Sequence, residues 1–310
     1  MGVYTIGGII RNTRIAMGMS QEQLAEGICM PNYLSRIECG KQVPQKKIFD
    51  KLMGRLESHI NRITTSLQVD EFELLEKEWE IARAIGDFNY QKAQELLWEL
   101  EVELDQTYPT NEQYMKFIQA SIDYRKKRIS IQEHRKILIN SIQLTILDYN
   151  EMWKITRILS RTEIVVLINI YATYGQEGEY EKAIQLYEGL LNYYEELYPR
   201  ANRVYYGLVL EHIGKWLGLA GKHKEAIKFA KKGIEECKKT KRESMLATYF
   251  YTIAWNLKEL IKKDQKNKEK IKKACKHYII QAYGISLAYD YTLEQKFYLS
   301  KIKEWNSLLI

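Results

Sequence analysis

One arrangement of residues recurs along most of this chain and limits the folds open to it. Gly86-Asp87-Phe88 precedes Ala93, Leu96 and Leu97. Gly178-Glu179-Tyr180 precedes Ala183, Leu186 and Tyr187, and Gly221-Lys222-His223 precedes Ala226, Ile227 and Phe229. A degenerate copy runs from His134 to Ile142, and Ala274, Tyr278 and Ala282 close the series. With Ala93, Ile137, Ala183, Ala226 and Ala274 taken as equivalent, the steps are 44, 46, 43 and 48 residues. Such a period is one supersecondary unit long, here a helix pair. A glycine ends the first helix, because it alone turns the chain at no steric cost. The small alanine then lets the second helix pack closely, and aromatics fill the gap to the next unit. From about Asp70 onward the chain reads as helical throughout, with Pro109 and Pro199 marking loops between helix pairs. The expected fold class is all-α.

These units resemble tetratricopeptide repeats, which also carry a G-x-Y-x-x-A pattern, although the period here is longer than the usual ~34 residues. The resemblance implies a right-handed α-solenoid with a capping helix at Thr292–Leu309; the competing architecture is an irregular helical bundle. Stacked helix pairs curve into a groove lined by first-helix side chains. Asn169 stands in an otherwise apolar first helix, IVVLINIYATY. Its amide could pair the N–H and C=O of an extended peptide, or satisfy a neighbouring helix end. His212 and Lys215 occupy related positions one unit on, and Tyr251, Thr252, Trp255 and Asn256 do so on the next. In the peptide reading Asn169 and Asn256 supply amides, Tyr251 and Trp255 wall a pocket, and Lys215 meets a terminal carboxylate.

A different pattern occupies Ser20–Pro44, SQEQLAEGICMPNYLSRIECGKQVP. Ser20 is a good N-cap, Pro31 suits a first helical position, and Gly40 suits a left-handed C-cap before Pro44. If Leu34 and Ile37 face inward, Asn32 and Arg36 lie on the outer face with Ser35 at its edge. Amides, hydroxyls and guanidinium groups read base edges and grip phosphates. The runs SQEQLA and YLSRIExG resemble the helix-turn-helix of the Cro/phage-repressor class. The resemblance implies a five-helix domain, with Gly7–Met17 before the motif and Gln45–Leu56 after it. The DNA-contacting set is then Gln21, Asn32, Tyr33, Ser35, Arg36 and Lys41, with Gln21 on phosphate. Met30 and Pro31 replace the usual Ser cap and polar reader, so no base preference carries over.

Charge is distributed unevenly. Residues 1–62 carry +4 and residues 222–276 carry +11, while residues 63–221 carry −8. A basic front domain suits DNA. The Lys258–Lys276 block is a solvated helix face or an attractor for acidic ligands. No cysteine pair or Cys/His spacing has the form of a metal site, and no catalytic grouping or phosphate loop is recognisable. Neither enzyme activity nor a cofactor is implied. The most apolar run, Ile164–Ile168, is interrupted by Asn169, so no membrane span is expected, and the expected location is cytoplasmic.

The whole layout resembles the Rgg/PlcR-type regulators of Gram-positive bacteria, which join a Cro-like helix-turn-helix to long tetratricopeptide-like repeats. That resemblance implies a homodimer on a palindromic double-stranded operator, controlled by a short signalling peptide in the repeat groove. The expected domains are residues 1–62, the DNA reader; 63–69, a linker inside a helix at about 57–68; and 70–310, the sensor and dimerisation domain. The alternative is a constitutive repressor whose repeats only dimerise or bind protein.

Overall fold

The structure is a computed structural model. It describes residues 7, 10, 11, 14, 15, 19–56, 72–155, 159–197, 205–240, 245–262 and 266–309. Residues 7, 10, 11, 14 and 15 are helical, in line with the expected first helix; the rest of Gly7–Met17, the linker at 63–69 and the helix at 57–68 lie outside the described residues. Among the described residues there is no β-strand. Three short helices follow: α1 (Gln21–Ala25), α2 (Pro31–Glu38) and α3 (Lys46–Arg55). Four more are α4 (Phe72–Gly86), α5 (Tyr90–Glu103), α6 (Pro109–Arg125) and α7 (Ile131–Gln143). The remainder are α8 (Arg161–Gln176), α9 (Tyr180–Asn192), α10 (Tyr206–Leu219), α11 (His223–Thr240), α12 (Leu246–Ile261), α13 (Lys268–Ala288) and α14 (Thr292–Leu309). A π-helical turn, Tyr193–Leu197, extends α9.

The chain divides into two compact units. The first holds Met1–Tyr149 and Thr156–Val166, the second Asn150–Ile155 and Leu167–Ile310. In the first unit α4, α5, α6 and α7 each pack on the next in chain order. In the second, α9 to α14 do the same, and the first helices α10 and α12 also touch. This sequential packing is the signature of a helical repeat.

The turns explain how the repeat is made. Between α8 and α9, Gly178 has φ +89°. Its N–H donates to Gly175 O, and the Glu179 N–H reaches back to Tyr174 O. These two bonds form a Schellman motif, which satisfies the last carbonyls of the first helix. Gly221 repeats it at φ +79° on Gly218 O and Leu217 O. So do three residues that are not glycine: Phe88, Lys127 and Asp290, with φ of 58°, 59° and 53°. Gly86 is therefore not the turn residue of the first unit. It is the last helical residue, and the left-handed position falls on Phe88 two residues later.

The small residue of each second helix is likewise placed by geometry. Ala93, Ala183 and Ala226 are fully buried, four residues past the N-caps Asn89, Glu179 and Lys222. In α7 the same position, four past Ser130, is His134 and not Ile137; His134 is buried and stacks on Tyr124 at 4.6 Å. In α13 the fully buried small residue is Cys275, not Ala274, and its thiol donates to Ala254 O. Close approach also requires a glycine at Gly233 of α11, where an added Cβ would stand 2.2 Å from the Tyr249 ring.

Two cores can be named. Ile10, Leu24, Leu34, Ile37, Leu52 and Leu56 form the one beneath α1–α3. Ala254, Cys275, Ile279, Ala282, Tyr298 and Trp305 join α12, α13 and α14. The capping helix α14 thus closes the second unit through Tyr298 and Trp305, with Ile302 partly buried, while Leu293 and Phe297 stay 58% and 42% exposed.

Candidate DNA-reading helix and ligand-binding face

Ser20 caps α1 through a capping box: Ser20 Oγ accepts from the Gln23 N–H, and Gln23 Oε1 accepts from the Ser20 N–H. At five residues α1 is too short to satisfy its own carbonyls. Arg55, the last residue of α3, donates to Gln23 O, Leu24 O and Glu26 O and clasps that end. Helix α2 begins at Pro31 with Met30 as an N-cap that offers no side-chain bond. It ends in another Schellman turn, with Gly40 at φ +69° and the Lys41 N–H on Arg36 O.

Leu34 and Ile37 are fully buried, which turns Asn32 and Arg36 outward; both are exposed, as is Lys41. Arg36 has no acidic partner among the described residues. Ser35 and Tyr33 are half-buried, and the Tyr33 ring packs on the core beneath α1–α3. Gln21, the expected phosphate ligand, is engaged within the domain. Its amide nitrogen is bound to Glu38 Oε2 at 2.6 Å. The reason is a buried carboxylate that the sequence reading missed. Glu38 is only 4% exposed and takes Arg14 Nε at 2.6 Å and Nη2 at 2.8 Å, with Gln21 completing its shell. The signal was available, since Glu38 directly follows Ile37 on the inward side of α2. A buried ion pair of this kind fixes helix orientation only when every lone pair is met.

In the second unit the peptide candidates separate into two groups. Asn256 is fully buried and internally paired: His223 Nδ1 donates to its Oδ1 at 3.0 Å, and its Nδ2 donates to Thr252 O at 2.8 Å. Thr252 is buried and bonds Thr248 O. Tyr251 stacks on Trp305 and meets Phe297 and Tyr298 of α14, and burial raises its phenol pKa to about 12. In these three the polar atoms of Thr252 and Asn256 are taken up within α12 and by His223 of α11, and the Tyr251 ring packs on α14, so all three serve packing here. Trp255 is half-buried, edge-on to His223 at 5.9 Å.

Asn169, His212 and Lys215 remain open. Asn169 is half-buried within α8 and has partners of its own. Lys215 is exposed, its Nζ 4.4 Å from the Trp216 ring centroid. His212 stacks on Tyr187 at 4.9 Å, and burial lowers its pKa to about 3. Beside it on α10 stands Glu211, another acid the sequence reading passed over. The clue was one carboxylate in an otherwise apolar helix start, YGLVLEHI.

The four cysteines are free thiols, and no group of three or more His, Cys, Asp or Glu among the described residues is arranged to hold a metal. No described helix is long and apolar enough to cross a membrane.

Residues 10–63 match the helix-turn-helix family. No curated protein matches the chain. Among solved structures, Bacillus thuringiensis PlcR in complex with the peptide PapR7 and DNA is similar at 20% identity. That likeness covers 92% of this chain and 98% of PlcR, with a TM-score of 0.57. PlcR in its apo form is similar at 18% identity over 96% of this chain and 98% of its own, again at 0.57. The chain therefore carries a helix-turn-helix domain followed by tetratricopeptide-like helical repeats, in the fold of PlcR.

Proposed function

We propose that this chain is a sequence-specific DNA-binding transcriptional regulator whose repeats bind a short signalling peptide. The observation that carries the reading is the outer face of α2. Asn32 and Arg36 are exposed there, and Lys41 just beyond the Gly40 turn, within a matched helix-turn-helix, while Leu34, Ile37 and Glu38 of that helix are buried. Side chains of these types serve no packing and suit base edges and phosphates. The peptide part is supported by the fold shared with PlcR, which was crystallised with a peptide and DNA. Asn169, His212, Lys215 and Trp255 are the side chains we assign to that ligand.

The protein acts as a homodimer in the cytoplasm on a palindromic operator, since one such reader spans only a half-site. Residues 1–62 are the reader, 63–69 the linker and 70–310 the sensor. The reading is non-enzymatic.

Anisotropy titrations with duplexes from the chain's own promoter region, with and without short peptides encoded beside its gene, test both parts. Specific binding altered by one peptide is the expected result; equal affinity for promoter and random duplexes at every salt concentration overturns the DNA part. A second reading, a constitutive repressor, is favoured by one observation: Tyr251, Thr252 and Asn256 are consumed by internal packing. Specific DNA binding that no peptide alters would establish it.

A further inference from the structure

Two other acids buried among the described residues are met by donors. Glu38 takes three side-chain donors, and Glu163, 1% exposed, accepts from the Ser160 N–H at 2.7 Å. Glu211 differs. Its side chain is 16% exposed, and its nearest positively chargeable atom is His212 Nε2 at 4.0 Å. Burial holds that imidazole neutral above about pH 3, and its Nδ1 is buried without a hydrogen-bond partner. Among the described residues Glu211 forms no ion pair with a lysine or arginine. Lys215, one turn on, lies over Trp216 instead.

A carboxylate withdrawn from water without a counter-ion destabilises the fold. Nothing in the packing compensates for it here. Burial raises the Glu211 pKa, and Lys215 only partly opposes the shift. The charge is also felt by Tyr187 of α9, Tyr249 of α12 and Tyr298 of α14, whose phenols it helps to raise. Glu211 stands 4.0 Å from His212, whose ring stacks on Tyr187 and lies 6.2 Å from Trp216; an acid beside aromatic rings is the chemistry that receives an ammonium or guanidinium group.

We infer that Glu211 is the anchor for a cationic group of the ligand, an N-terminal ammonium or a Lys or Arg side chain, seated beside His212 and Trp216. The inference rests on the peptide reading and deepens it. It reverses the charge logic attached to Lys215 alone: the site selects for a positive group as well as tolerating a carboxylate.

The probe is a pool of short random-sequence peptides with free N-termini, set against the same pool N-acetylated and free of Lys and Arg. The full chain is mixed with each, and retained peptides are sequenced by mass spectrometry. Wild type is expected to enrich cationic peptides about tenfold or more over the acetylated pool, and Glu211→Gln to retain peptides without that preference. Retention of peptides with no bias toward a cation overturns the anchor and leaves the peptide reading standing; retention of none by wild type overturns both. Thermal unfolding gives a ligand-free check. Glu211→Leu should raise Tm by a few degrees, as for a residue kept for function at the expense of stability. A lower Tm in both Glu211→Leu and Glu211→Gln would make the carboxylate structural and overturn the inference.

Discussion

The two regions proposed to carry function treat their polar residues in opposite ways. In and just after α2 the residues chosen for chemistry face solvent, and the fold asks nothing of them: Asn32 and Arg36 of the helix and Lys41 beyond its Gly40 turn are exposed while Leu34 and Ile37 hold the helix down. In α12 three of the four chosen residues have been absorbed, leaving Trp255 half-buried. Asn256 and Tyr251 are engaged by neighbouring helices, and Thr252 bonds a carbonyl of its own helix. An isolated amphipathic helix has one buried face, so periodicity alone separates readers from packers. A repeat helix is covered on several sides, so a polar residue in it has two equally good uses.

Substitutions can break this comparison, and the largest effect belongs beneath the reading helix. Glu38→Ala strands a buried guanidinium, and chemical denaturation should show a loss of about 3–5 kcal/mol. A loss below 1 kcal/mol would mean that α2 is not held by the Arg14–Glu38–Gln21 cluster.

Acid offers the next largest effect. His134 is buried with neither ring nitrogen bonded, next to the charge of Arg125, and its pKa falls to about 4 from 6.5. The unfolded chain therefore takes up the proton first as pH falls. Stability from this group is intact above pH 6.5, declines between 6.5 and about 4, and loses no more below that. The full decline is about 3 kcal/mol. His134→Phe keeps the stack on Tyr124 and should remove this part of the slope in urea titrations run across that window; an unchanged slope would assign it elsewhere.

A paired measurement then addresses the comparison itself. Asn256→Ala should lower stability by about 1–3 kcal/mol, since it orphans His223 and removes a buried amide bond. Arg36→Ala should leave the unfolding curve within about 0.5 kcal/mol of wild type, yet cost about 1–3 kcal/mol of operator binding if it reads a base. Equal losses on operator and random duplexes would make Arg36 a phosphate contact. If instead Asn256→Ala unfolds like wild type, the amide is not a packing residue and returns to the ligand set.

The smallest effect tests the turns. Phe88→Gly relieves a left-handed non-glycine residue, worth about 1–2 kcal/mol, against glycine's greater freedom in the unfolded chain. The net gain should be under about 1 kcal/mol in thermal melts, and Gly178→Ala should destabilise by more than that.

How much could be read in advance follows the same division. The helix-turn-helix was legible because its caps, its Pro31 start and its Gly40 stop are local signals on neighbouring residues. The repeat was legible wherever glycine marked the turn, at Gly178 and Gly221. It slipped by two residues at Phe88 and by three at His134, because there the left-handed backbone and the close-packed position are held by residues whose side chains do not advertise them. Glu38 and Glu211 were missed for one reason. An acid in a helix reads as a solvated residue unless it is set against the buried positions beside it, Ile37 for Glu38 and the apolar run YGLVL for Glu211.

The Schellman turns have a consequence for how such a chain diverges. All of their hydrogen bonds run between main-chain atoms, and the same pair recurs whether the left-handed residue is Gly, Phe, Lys or Asp. Side chains at these corners are thus almost free to drift, provided the backbone angle is tolerated. Inheritance of the architecture then resides in peptide geometry, while the letters of the sequence wander. Two chains can share nine-tenths of their length in space and only one residue in five.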